Sequence, residues 1–114
     1  MEAKPMRIKD SSVSIHGLRP EMLFALQVAN GVYQQYGREL VITSGAEPGT
    51  HHSSQSLHYS GCAVDLRTRE LTVSGHIICD QIAQRLGVDF DVIYESPGSP
   101  GEHIHLEYQP KRRD

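Results

Sequence analysis

Phe90-Asp91-Val92-Ile93-Tyr94-Glu95 and His103-Ile104-His105-Leu106-Glu107-Tyr108 are two β-rich runs joined by Ser96-Pro97-Gly98-Ser99-Pro100-Gly101. Val, Ile, Tyr and Phe suit a pleated, half-buried surface, and a Pro/Gly/Ser cluster between two such runs reverses the chain. The stretch predicts a hairpin. Moving towards the N-terminus, residues 73–86 read as a helix, with Ile78, Ile82 and Leu86 on one stripe and Gly87 as its stop. Cys62-Ala63-Val64-Asp65-Leu66 reads as a buried strand, and Leu40-Val41-Ile42-Thr43 as a short one closed by Ser44-Gly45. Before them, Met22, Leu23, Ala25, Leu26, Ala29, Val32, Tyr33 and Tyr36 recur at helical spacing. Pro20 is suited to the first helical position and Gly37 to the stop.

The order helix, strand, strand, helix, strand, strand implies an α+β fold, a small antiparallel-rich sheet with helices packed on one face. Residues 1–14 lack periodicity and are expected to form an extended arm, residues 15–110 the domain, and residues 111–114 a basic tail. The 114 residues fit one domain, and 38% hydrophobic with 22% charged residues fits a globular chain. A net charge of -3 provides no general field for nucleic acid, and no motif supports such binding. No apolar run reaches the roughly 20 residues of a membrane span. The first ten residues hold three Lys or Arg with no apolar segment behind them, so no signal peptide is expected. Cys62 and Cys79 read as free buried thiols in a protein made in a reducing compartment.

Seven histidines are many for this length, and their placement carries the functional reading. Residues 45–60 form a long loop rich in Gly, Ser, Thr and His, and such loops are usually functional or disordered. At its end stands Ser56-x-His58-x-x-Gly61-x-Ala63-x-Asp65, and Glu102-His103-Ile104-His105 follows, its last residue forty after Asp65. A catalytic zinc takes three imidazole or carboxylate ligands and leaves one position for water. His58 and Asp65 come from the loop end and the following strand, with Gly61 allowing the turn and Ala63 leaving room. His103 and His105 are read as pointing to opposite sides of their strand, so that one of them faces the site. Glu102, just before that strand, is placed to serve as general base. Glu95 and Glu107 are the other candidates, Glu107 being better suited to supporting a ligand.

These two strings resemble the zinc D-alanyl-D-alanine carboxypeptidases and dipeptidases and the related phage L-alanyl-D-glutamate endolysins, within a wider group that includes lysostaphin-like and hedgehog-type domains. The resemblance runs from about Leu18 to Tyr108. It implies one Zn2+ per chain held by His58, Asp65 and His105, with Glu102 as base for a metal-activated water that hydrolyses a peptide bond. It also makes Ser56 a hydrogen-bond partner of a ligand. The implied partner is a peptidoglycan stem peptide or a short D-amino-acid-containing peptide; separately, the chain is expected to be a monomer without membrane insertion. Without an export signal, the natural settings are a phage-encoded enzyme released to the cell wall or a cytoplasmic dipeptidase.

One position departs from the pattern. Family members commonly carry Ser-Gly-x-Arg after the first core strand, where this chain reads Ser44-Gly45-Ala46-Glu47. A carboxylate cannot donate to an oxyanion, so either His51, His52 or Arg67 takes that part, or the substrate presents a cation there and Glu47 sets specificity for it, or activity is weak. His103 is the competing ligand. The departure also motivates the rival reading, a catalytically silent zinc-binding hedgehog-like domain that binds a cell-wall peptide or a protein.

Overall fold

The computed structural model describes residues 5–47 and 56–111. Their elements, in chain order, are β1 (Arg7–Ile8), α1 (Pro20–Gln35), β2 (Val41–Ser44), β3 (Ala63–Arg67), α2 (Gly75–Leu86), β4 (Phe90–Glu95) and β5 (His103–Tyr108). They form an α+β domain around one sheet of order β1-β2-β3-β5-β4. β1 pairs with β2 in parallel and every other pair is antiparallel. β5 is thus inserted between β3 and β4, which run parallel to each other with α2 as the crossover.

Both helices share one hydrophobic core with the sheet. Met22, Ala25, Leu26, Ala29, Val32 and Tyr33 of α1 and Ile78, Cys79 and Ile82 of α2 pack in one cluster with Ile42, Val64, Leu66, Ile104 and Leu106. Pro20 occupies the first turn of α1, where its missing N–H leaves no partner wanting. α2 starts at Gly75, two residues later than its apolar pattern implies, because the Ser74 side chain accepts the His76 N–H as a cap. Gly75 is required by packing: a Cβ there would lie 2.6 Å from the Tyr94 ring.

The expected N-terminal arm contributes an edge strand. Arg7 N donates to Leu40 O and Lys9 N to Ile42 O, and Val13 is buried in the core. Edge pairing of this kind uses main-chain groups and leaves no side-chain period to read. Cys79 is buried and Cys62 half-buried, and neither is in a disulfide.

The register of β3 on β5 fixes the polar side of the sheet. Asp65 stands opposite His105, Arg67 opposite His103 and Ala63 opposite Glu107. On the outer strand, Ile93 stands opposite His105 and Glu95 opposite His103. Side chains alternate along a strand, so these residues line the face away from the helices.

Candidate metal centre

Ligand atoms of His58, Asp65 and His105 lie within 4.8 Å of one another. Asp65 Oδ1 is 2.8 Å from His105 Nδ1 and 3.5 Å from His58 Nε2. In a tetrahedral zinc site, bonds of about 2.0–2.1 Å place neighbouring ligand atoms roughly 3.3 Å apart. The trio is therefore close to the spacing such an ion requires. His58 is reached through a tight turn in which Ser56 Oγ accepts its N–H at 3.1 Å. At Gly61, φ is +76° and a Cβ would lie 2.0 Å from Gly17 O, so only glycine fits that bend.

The imidazoles are oriented by acceptors behind them. His58 Nδ1 donates to Gly45 O at 2.7 Å, which leaves Nε2 facing Asp65. His105 lies between two carboxylates, Nδ1 at 2.8 Å from Asp65 and Nε2 at 2.8 Å from Glu107 Oε1. An acceptor on the far nitrogen fixes ring orientation and raises ligand basicity.

Burial opposes charge on all three residues, and their mutual contacts overcome it. His105 is desolvated, yet Asp65 and Glu107 raise its pKa to about 9. His58 is likewise desolvated but raised, through Asp65 and the Gly45 carbonyl. Burial pushes Asp65 upwards, while hydrogen bonds from His105 and His58 hold it well below the usual carboxylate range.

The placing of His103 and His105 on opposite sides of β5 is corrected. Positions two apart on a strand share a face, and His103 Nε2 stands 3.7 Å from the same Asp65 Oδ1. His103 Nδ1 donates to Gly101 O at 2.8 Å, so its Nε2 also faces the cluster. Glu95 Oε1 is 3.9 Å from His103 Nε2 and 3.8 Å from His105 Nδ1, which makes Glu95, His103 and His105 a second, overlapping group able to hold an ion. Glu95, a candidate base from the sequence, is brought beside the imidazoles by the hairpin register, although it lies ten residues from His105 in sequence.

Glu102 belongs to neither group among the described residues. Its carboxylate accepts from Gly98 N at 2.8 Å and from the Thr68 hydroxyl. Gly98, Thr68 and the Tyr94 hydroxyl together hold its pKa below the usual value. Glu47 is buried and accepts from Ser14 N at 2.9 Å, Ser44 Oγ at 2.8 Å and Gly45 N. Its carboxylate is turned into the protein. His51 and His52 lie outside the described residues. Arg67, Asp65, His103, Tyr94 and Glu102 line a cleft of about 880 Å3 beside the cluster, joined by Lys9 from the N-terminal segment.

The profile of the hedgehog amino-terminal signalling domain matches residues 22–106. The chain belongs to this family. Among its relatives, Indian hedgehog protein of Gallus gallus is 37% identical over 81 residues, 71% of this chain and 18% of that protein. Sonic hedgehog protein of Xenopus laevis is 37% identical over 81 residues, 71% of this chain and 16% of the relative. Tiggy-winkle hedgehog protein of Danio rerio is 38% identical over 69 residues, 60% and 15% respectively. The chain thus spans less than a fifth of the length of these relatives.

These matches overturn the expectation of a zinc peptidase. The family is one of signalling domains, so the carboxypeptidase or endolysin activity, the peptidoglycan-peptide partner and the phage-encoded release to a cell wall are all withdrawn. The matched proteins are hedgehog proteins of animals. The physical reason is plain: two histidines and an aspartate specify a metal cradle, and one cradle can serve hydrolysis or recognition on the same fold.

Proposed function

We propose that this chain is a recognition domain, catalytically silent, that holds one Zn2+ through His58 Nε2, Asp65 Oδ1 and His105 Nδ1 and receives a segment of a protein partner in the adjoining cleft. The observation carrying this reading is the convergence of the three ligand atoms, each imidazole having its other nitrogen committed to an acceptor. Bound there, the ion supplies a fixed positive charge and a cross-link between the loop end at His58 and the two strands. Ser56 holds the backbone of His58, and Glu107 the ring of His105. Arg67 and His103 stand on the same sheet face and line the cleft, where a seated partner meets them.

Zinc content after exhaustive dialysis tests the metal: one ion per chain is expected, falling towards zero in Asp65→Ala. Recognition is tested by peptide display on the zinc-loaded protein, counter-selected on protein treated with chelator. Selected peptides are expected to perturb the amide resonances of Arg67, Thr68 and His103. Binding unaffected by chelator, or mapping to the exposed sides of α1 and α2, would overturn the recognition reading.

A further inference from the structure

Glu47, at the position that reads as a departure from the peptidase pattern, lies beside the peptide that orients His58. That peptide joins Gly45 to Ala46. At one end its N–H, on Ala46, donates to Ser14 O at 2.7 Å. At the other end its carbonyl, on Gly45, accepts the His58 Nδ1–H at 2.7 Å. The Glu47 carboxylate joins the two flanks: Oε1 accepts from both Ser14 N and Gly45 N, and Oε2 accepts from Ser44 Oγ. Glu47 and His58 are 6% and 4% exposed, so neither network is exchanged freely with water. Linked hydrogen bonds of this kind polarise one another in a low-dielectric setting. The approach is close enough to exclude a side chain at residue 45, where a Cβ would lie 2.3 Å from Ser14 O.

We infer that Glu47 is a positioning residue: by clamping Ser14 to Gly45 it aims the Gly45 carbonyl at His58 Nδ1 and so presents Nε2 to the metal. The inference rests on the zinc site proposed above. It assigns the N-terminal segment a part in that site, because Ser14 supplies both a donor and an acceptor to the clamp.

The test uses the full chain in three variants, with unfolding curves confirming that each is folded. Glu47→Ala removes the acceptor contacts to Ser14 N, Gly45 N and Ser44 Oγ. Glu47→Gln keeps an oxygen for Ser14 N and Gly45 N, while its amide donates to Ser44 Oγ. Gly45→Ala drives residue 45 away from Ser14. Two readouts are taken: zinc affinity by competition with a chromogenic chelator, and the tautomer of His58 in metal-free protein by long-range 15N–1H correlation. Glu47→Ala and Gly45→Ala are expected to weaken zinc binding by about 10- to 100-fold, the usual effect of losing an outer-shell partner. Both should also reduce the Nδ1–H form of His58, and Glu47→Gln should restore most of both signals. A folded Glu47→Ala protein with unchanged affinity and tautomer would overturn the inference. Absence of zinc binding by the unsubstituted chain would instead remove the metal reading and leave the tautomer measurement to decide Glu47 alone.

Discussion

The two faces of β3 and β5 are built from alternating residues of the same strands and behave as different materials. Val64, Leu66, Ile104 and Leu106 have no exposure and close the core beneath the helices. Their neighbours Asp65, Arg67, His103, His105 and Glu107 collect on the other side, each of them half-buried. Burial on the helix face is stabilising in itself, at roughly 25 cal/mol per Å2 of apolar surface. On the polar face burial works against each charged group, and the residues are retained there by pairing with one another. One face holds the fold together, whereas the other is a charged cluster that the fold must support.

The widest separation of the two faces comes from Leu106→Ala, which should cost about 2–5 kcal/mol in denaturant unfolding. The fraction that remains folded should still bind zinc at full stoichiometry. Asp65→Ala attacks the other face: zinc affinity should fall by more than about a hundredfold, since the carboxylate is a ligand and also the group that both histidines face. Equilibrium competition against a chelator measures it. Glu107→Gln leaves all three ligands in place and removes a carboxylate from behind His105, so a loss of about 10- to 100-fold is expected.

A pH series sharpens the contrast. In metal-free protein His105 is raised to about 9, so its stabilising contribution is complete below its unfolded value of about 6.5. That contribution disappears as pH rises through about 9. Asp65 is depressed, so its contribution is present above an unfolded value of about 3.9 and disappears as pH falls through its folded value. The metal-free domain should therefore be most stable between about pH 4 and 6.5. Zinc must displace the His105 proton, so its affinity should rise over the range in which metal-free stability declines. Thermal unfolding with and without zinc, from pH 5 to 9, would show the zinc-induced shift growing with pH; a shift independent of pH would contradict the assignment of His105 as a ligand. The smallest effect is expected from Glu102→Gln, whose carboxylate is tied to Thr68 and Gly98. Zinc affinity should change by less than about threefold, against the larger loss in Glu107→Gln.

Much of the fold is legible in the sequence because it rests on local patterns. The three- and four-residue spacing of α1, the turn cluster at residues 96–101 and the β-rich runs on either side each declare themselves within a short window. β1 does not, since two residues paired through their backbone carry no such pattern. In the site, the strings around His58, Asp65 and His105 name the residues that meet. The two-residue period also places His103 beside His105, although reading them as opposed loses that information.

The primary order carries the two-residue alternation that puts side chains on a shared strand face, and it carries the residue types available to hold a metal. Only the tertiary structure decided which carboxylates arrive beside the imidazoles: Glu95 across the β4–β5 register, Glu107 behind His105, Glu102 drawn to Thr68 and Tyr94, Glu47 folded inward against Ser14. The physical reason is range. Periodicity sets the direction of a side chain on its own element, whereas distances between elements depend on register, turn shape and the competing hydrogen bonds that capture each acid.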